Sequence, residues 1–155
     1  MKKLLLFLLA AFVFNLTGCP SRNPSDVRYE YNISQYDRII QELLQEHNEQ
    51  RRKNSLSELA IDADLVVAAQ KWAKHMCERG RMYHGSLTSK VDMKRWSRVG
   101  ENIAQGQKDA REVVDCWMHS RGHRNNILNS RFSSVGFGYA ENKNGQIYWC
   151  TIFGG

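Results

Sequence analysis

Residues 134–154 read SVGFGYAENKNGQIYWCTIFG, two stretches rich in valine, isoleucine and aromatic residues with a polar segment between them. β-Branched and aromatic side chains favour strands, and Asn144-Gly145 in the polar segment is a strong signal for a hairpin turn. We therefore expect two antiparallel strands at the end of the chain. Because helical patterns precede this hairpin, the sequence predicts an α+β domain.

Three segments before the hairpin carry apolar residues at intervals of three and four, as on the buried face of a helix. The first predicted helix begins near Ser34, which resembles the start of a capping box, and extends to about Arg52. The third begins after Asp109, which has an acid three residues later, and ends near Gly122.

The second predicted helix begins after Asp62 or Asp64 and ends at Gly80, a good helix stop. Small residues on its apolar stripe would let another element approach closely: Leu65, Ala68, Ala69, Trp72, Ala73 and Met76. Residues 81–108 hold several glycines and little periodicity, so we expect this stretch to be mostly loop.

The beginning of the chain, MKKLLLFLLAAFVFNLTGC over residues 1–19, indicates export. Two lysines precede an apolar run that is shorter than the about 20 residues of a spanning helix and has the length and flanks of a secretory signal. Leu16-Thr17-Gly18-Cys19 resembles the lipobox of bacterial lipoproteins, in which the cysteine sulfur receives a diacylglycerol and becomes the mature N-terminus. The alternative is an ordinary cleaved signal with Cys19 in a disulfide. The position of Cys19, where the apolar run ends, favours the lipobox.

The predicted organisation is a signal peptide over 1–18, a tether over 19–34 that carries lipidated Cys19, and one domain over 35–155. Pro20 stands where many lipoproteins of the inner membrane carry an aspartate, so we expect the bacterial cell envelope, at the outer membrane or the cell surface. The only partner that this organisation itself implies is a membrane, through the lipid.

The net charge and the number of cysteines limit which partners and how many disulfides we expect. Removal of residues 1–18 would leave 137 of 155 residues and lower the net charge from +6 to +4, with no run of five basic residues, which argues against nucleic acid. With Cys19 lipidated, at most one disulfide can form, and its members are open among three cysteines: Cys77, Cys116 and Cys150.

Four segments together resemble the CAP superfamily of cysteine-rich secretory, antigen 5 and pathogenesis-related 1 proteins, also called SCP domains. They are HNEQR (47–51), GENIA (100–104), WMHSRGHRNNIL (117–128) and YWCTIFG (148–154). The resemblance covers about residues 38–154 and implies an α-β-α sandwich, with a small antiparallel sheet between helices. It also implies a central cavity, whose members here are His84, Glu101 and His123, with Ser120 at the position of a second acid.

Two imidazoles that face one cavity can bind a divalent ion, so His84 and His123 are candidate ligands of Zn²⁺. Glu101 could orient a histidine or act as a general base. Ser120 supplies no charge, and we therefore expect any zinc binding to be weak. In the alternative interpretation, which we favour, Glu101 mainly accepts hydrogen bonds that hold the 81–108 segment on the core.

Two classes of function remain open. The resemblance favours a binding module in the envelope that recognises a lipid or sterol, a host surface or an envelope ligand, without known catalysis. The alternative is a metal-assisted hydrolase of peptidase type in the same cavity. Ser120 in place of an acid argues against the hydrolase.

Overall fold

The computed structural model describes the backbone of residues 33–155 and the side chains from residue 38 onward. The chain divides into two units, Met1–Glu30 and Tyr31–Gly155, and only the second contains described residues. The predicted signal peptide, Cys19 and nearly all of the predicted tether lie outside the described residues.

The described elements follow one another in this order: α1 Ile33–Lys53, β1 Ala60–Ile61, α2 Ala63–Arg79, β2 Val99–Gln105, α3 Ala110–His119, α4 Arg121–Ile127, β3 Ser134–Glu141 and β4 Ile147–Gly154. A short 3-10 helix, Leu87–Ser89, lies between α2 and β2. The strand order in the sheet is β1-β3-β4-β2. The predicted terminal hairpin is confirmed as β3 and β4, and the α+β class is confirmed with it.

The sheet is mixed, because β1 pairs parallel with β3 over two residues while the other pairs are antiparallel. Side chains alternate between the two faces of a strand, and both faces are apolar here. Phe137, Trp149 and Phe153 face the core formed with α1, α3 and α4. Tyr148 and Ile152 face the core formed with α2. The helices therefore cover the sheet on both faces, as an α-β-α sandwich requires.

Two glycines in β3 allow α2 to lie almost directly on the sheet. A Cβ at Gly136 would stand 2.0 Å from the backbone of Leu65, and one at Gly138 would stand 2.3 Å from the backbone of Ala69. Any larger residue at either position would have to push the helix away. The small residues predicted on the stripe of α2 therefore meet an equally small strand surface.

Most predicted helix ends agree with the structure. Asp62, rather than Asp64, caps α2 and accepts from the backbone N–H groups of Asp64 and Leu65. Gly80 ends α2 with a left-handed φ of 65°, and Asp109 caps α3. The described part of α1 begins at Ile33, so Ser34 lies within the helix and not before its first residue.

The predicted end of the third helix near Gly122 is wrong. Helix α3 ends at His119, Ser120 takes an extended conformation, and Gly122 lies inside α4. The break is stabilised across the junction, because the Arg124 side chain donates to the carbonyl of Met118 at 3.0 Å. That carbonyl is near the end of α3, where carbonyl groups lack partners within the helix.

The prediction that residues 81–108 are mostly loop missed strand β2. Gly100, Glu101 and Asn102 are poor strand formers, and they stand in the first half of a seven-residue strand. Glu101 pairs with Ile152 and Ile103 with Cys150 in the antiparallel ladder with β4. The five central residues of β2 are buried, so pairing and coverage by helices override the local propensity.

Arg51, near the end of α1, is buried and donates to four backbone carbonyls. Its Nε bonds Ser57 O at 2.7 Å, Nη1 bonds Ile127 O and Asn129 O at 2.9 Å, and Nη2 bonds Phe132 O at 3.0 Å. Burial lowers the pKa of its guanidinium, but arginine stays charged at any physiological pH. One side chain thus joins α1 to the segment before β1, the end of α4 and the start of β3.

His47 is a second buried polar residue of α1, and it is neutral. Its Nδ1 donates to Leu43 O at 2.7 Å, and its ring lies against Trp117, Phe137 and Phe153. Nε2 has no hydrogen-bond partner among the described residues. Burial, with a smaller effect of the Arg51 charge, lowers the pKa of His47 to about 4.

We expect stability to fall in mild acid because of His47. The unfolded chain takes up this proton near pH 6.5 and the folded chain only near pH 4, so stability is complete above about pH 6.5 and is lost as the pH falls toward 4. Between about pH 7.5 and about pH 4.5 the loss due to His47 is about 2–3 kcal/mol. Urea titrations of wild type and His47→Gln measure it.

His47→Gln should lose clearly less stability over this interval than wild type, whatever its stability at neutral pH. His119→Gln is the matched control, because its side chain is 77% exposed, and it should follow wild type. Parallel pH dependence in wild type and His47→Gln would contradict the assignment.

Candidate functional site

A buried carboxylate organises the candidate site. Glu101 stands in β2, and its side chain is only 3% exposed. Its Oε1 accepts a hydrogen bond from His84 Nδ1 at 2.8 Å, and its Oε2 contacts the ammonium of Lys90. We call His84, Lys90, Glu101 and His123 the His-Glu cluster. Both carboxylate oxygens are thus used by side chains from the segment between α2 and β2.

His84 lies in that segment and keeps a side chain that is 59% exposed. The bond to Glu101 assigns the proton to Nδ1, which leaves Nε2 as the acceptor of the neutral ring. The neighbouring backbone is held by Trp72, whose Nε1 donates to Tyr83 O at 3.2 Å. A Cβ at Gly85 would stand 2.4 Å from the Trp72 ring, so a glycine is needed for this close approach.

His123 comes to the site from α4 and is half-buried. Burial lowers the pKa of His123, and the charge of His84 lowers it further, so the two rings lie within electrostatic range. Asn102, which follows Glu101 in β2, donates to His123 O at 3.0 Å. Asn126 donates to Glu101 O and to Asn102 Oδ1, which ties α4 to β2. The structure thus brings His84 and Glu101 into contact, and it places His123 on a helix that is hydrogen-bonded to β2 at Glu101 and Asn102.

Ser120, at the position of the second acid, forms the junction of α3 and α4. Its N–H donates to Trp117 O at 3.1 Å, and its carbonyl accepts from Arg124 N at 2.8 Å. Its side chain makes no capping hydrogen bond to α4. The role of Ser120 that the structure shows is to break the helix, which directs α4 and His123.

Lys90 is the member of the His-Glu cluster that the sequence did not reveal. Its side chain is 5% exposed, and its Nζ lies 3.6 Å from the centroid of the Trp72 ring. A lysine in a polar segment is nearly always exposed, so no local pattern distinguished Lys90 from its neighbours. The apolar residues Leu87 and Val91, which pack against the core on the α2 side, were the available signal.

The cluster does not fit a divalent cation. The charge of Glu101 is already matched by Lys90, and Ser120 adds none. Within residues 38–155 there is also no group of three or more His, Cys, Asp and Glu side chains that could hold a metal. A Zn²⁺ ion on the two histidines would meet a nearby ammonium instead of an uncompensated carboxylate, which is unfavourable in a buried setting.

The three cysteines of the described domain are free thiols in this structure. Cys77 and Cys150 are buried and Cys116 is exposed. Cys150 Sγ lies 3.9 Å from Glu101 Oε2. Burial and the charge of Glu101 raise the pKa of Cys150 well above its usual value, so this sulfur remains a protonated thiol.

The sheet is covered by α2 on one face and by α1, α3 and α4 on the other, and a histidine is hydrogen-bonded to a glutamate of its strand β2. These features define the class of CAP-type sandwich domains. The family model described as the cysteine-rich secretory protein family (CAP) matches residues 44–153, and the chain belongs to this family.

Relatives and solved structures agree with this membership. The protein YkwD of Bacillus subtilis (strain 168) is 39% identical over 117 residues, which are 71% of this chain and 44% of YkwD. The membrane protein YlbC of the same organism is 30% identical over 95 residues, covering 57% of this chain and 28% of YlbC. The chain thus spans less than half of the length of these two relatives.

Among solved structures, an extracellular SCP-domain protein of Bacillus anthracis has a TM-score of 0.64 and 26% identity, covering 76% of this chain and 40% of the other. An outer surface protein of Borrelia burgdorferi has a TM-score of 0.63 and 24% identity, covering 72% and 88%. Among the described residues, no helix is long and apolar enough to span a membrane.

Replacing Glu101 by alanine should destabilise the domain by about 3–5 kcal/mol, because it leaves the Lys90 ammonium buried without its carboxylate. Melting temperatures and urea midpoints measure the change. The double variant Lys90→Met with Glu101→Leu removes both charges and should recover most of the loss. Glu58→Ala, which breaks an exposed ion pair with Arg52, should cost less than about 1 kcal/mol. An unchanged melt of Glu101→Ala would contradict a structural role of this carboxylate.

Proposed function

We propose that this chain is a lipid-anchored protein of the bacterial cell envelope, and that its CAP domain binds a polar ligand without chemically converting it. Support for the anchor comes from the sequence Leu16-Thr17-Gly18-Cys19 after a signal-like apolar run. Support for the location comes from relatives of the same fold that are named an extracellular protein and an outer surface protein.

One observation supports binding over catalysis: the acid of the site is already occupied. A general acid or base must come within hydrogen-bond reach of a reacting atom. Glu101 is enclosed, and its two oxygens are bound by His84 and Lys90. Ser120 offers no second carboxylate. The same facts disfavour a metal-assisted hydrolase, since the ammonium competes with the cation that such a mechanism needs.

What the cluster presents to solvent is the outer edge of His84. With Nδ1 held by Glu101, the exposed Nε2 can accept a hydrogen bond when the ring is neutral and can donate one when the ring is protonated. His123, close to it on α4, offers a second imidazole. Imidazole nitrogens suit hydroxyl, amide and carboxylate groups as hydrogen-bond partners. We therefore propose a cell-wall glycopeptide as the ligand, within reach of a lipid-anchored domain.

Lipid attachment is expected at Cys19. Metabolic labelling with an alkyne fatty acid should mark the wild-type protein and leave Cys19→Ser unlabelled and unprocessed. Cys116→Ser is the matched control, because it removes an exposed thiol of the folded domain and should keep the label. Label that persists in Cys19→Ser, or a wild-type protein without label, would refute the anchor.

Ligand binding is tested with residues 19–155 produced with Cys19→Ser, which carry neither the apolar signal segment nor the lipid, by sedimentation with purified cell-wall sacculi and, separately, with phospholipid vesicles. We expect binding to sacculi that falls about tenfold in His84→Ala, since a buried hydrogen bond to a ligand contributes about 1–1.5 kcal/mol. His119→Ala, on an exposed part of α3, should bind normally. Binding to vesicles alone, or soluble products released by wild type and not by His123→Ala, would overturn the proposal.

A further inference from the structure

The His-Glu cluster holds a positive charge of its own. The Lys90 ammonium is enclosed between the carboxylate of Glu101 and the face of Trp72, with its Nζ 3.6 Å from the ring centroid. Both contacts are favourable for a cation, one as an ion pair and one through the ring quadrupole. This lysine is therefore a built part of the site and not a solvent-exposed neighbour.

A divalent ion on His84 and His123 would need the negative charge that Lys90 already uses. His84 donates its Nδ1 proton to one oxygen of Glu101, as histidine ligands of metals donate to carboxylates that orient them. The second oxygen contacts Lys90. Glu101 thus orients His84 as a carboxylate in a metal site would, but its negative charge is neutralised by Lys90 of the same chain.

We propose that Lys90 is a resident internal cation that excludes divalent metal ions from the His-Glu cluster, so that the site is preformed and independent of metal. The inference does not depend on the identity of the ligand in the proposed function. It predicts that removal of this one ammonium lets the two imidazoles of His84 and His123 bind zinc, with water in the remaining coordination positions.

The experiment is isothermal titration of ZnCl₂ into residues 19–155 with Cys19→Ser, which carry neither the signal segment nor the lipid. Cys116→Ser is present in all samples because an exposed thiol binds zinc by itself. The protein with Lys90 intact should bind no zinc at the cluster. Lys90→Met, which keeps the length and the apolar stem of the side chain, should bind zinc at least about tenfold more tightly, because one repelling charge is gone. Adding His84→Ala or His123→Ala to Lys90→Met should abolish the gain.

Two matched variants show whether the effect of Lys90→Met on zinc binding comes from the lost charge or from the changed shape of the side chain. Lys90→Arg keeps the positive charge and should gain no zinc binding, and Lys94→Met removes an exposed lysine of the same segment and should also gain none. Circular dichroism shows which variants fold, and Lys90→Gln replaces Lys90→Met if the latter does not. A folded, uncharged variant at position 90 that gains no zinc would refute the proposal.

The protein with Lys90 intact provides a test that needs no variant at position 90. Tight zinc binding by this protein that is lost in His84→Ala would show that the lysine does not exclude the metal. Zinc binding that survives both His84→Ala and His123→Ala would come from elsewhere in the chain. The cluster itself would then bind no zinc, in agreement with the proposal.

Discussion

The buried guanidinium of Arg51 is the interaction on which the arrangement of the domain depends. Its four carbonyl partners lie in two places in the chain: Ser57 follows α1, and the other three lie between the end of α4 and the start of β3, at Ile127, Asn129 and Phe132. A buried charge without partners is costly, and buried carbonyls without donors are costly as well. The end of α1, the end of α4 and the start of the terminal hairpin therefore have one low-energy arrangement, and that arrangement sets the position of His123.

The same principle recurs at the candidate site, where Glu101 links β2 to the preceding segment. There the charge is paired with Lys90 and His84 rather than with backbone carbonyls. Because the pairing is internal, the carboxylate needs neither solvent nor an added cation to be satisfied. The buried charges of Glu101 and Lys90 cancel each other, and the exposed imidazole of His84 lies beside them. This arrangement is the basis of the binding role proposed above and of the proposed exclusion of divalent metal ions.

Residues of the family segments proved to have structural roles that their spacing did not show. His47 fills an aromatic pocket, and Asn48 bonds both the N–H and the carbonyl of Leu59 at 2.8 and 3.0 Å. Asn126 ties α4 to β2. These polar residues are buried because they serve the backbone. Most of what identifies the family in this sequence is therefore the framework that positions the site.

The sequence by itself determined the elements whose signals are local: the turn at Asn144-Gly145, a cap of α2 at Asp62 or Asp64, and the stop at Gly80, since each depends on contacts within a few residues. It also pointed to the family and to His84, Glu101 and His123 as members of one site. Only the tertiary structure decided that GENIA (100–104) lies within a strand and that Lys90 is buried against Glu101. The strand forms because β4 pairs with it and helices cover it, and the lysine is buried because Trp72 and Glu101 meet it from distant parts of the chain. Such pairings between different elements depend on how those elements pack, and the apolar neighbours Leu87 and Val91 were the only local sign of burial near Lys90.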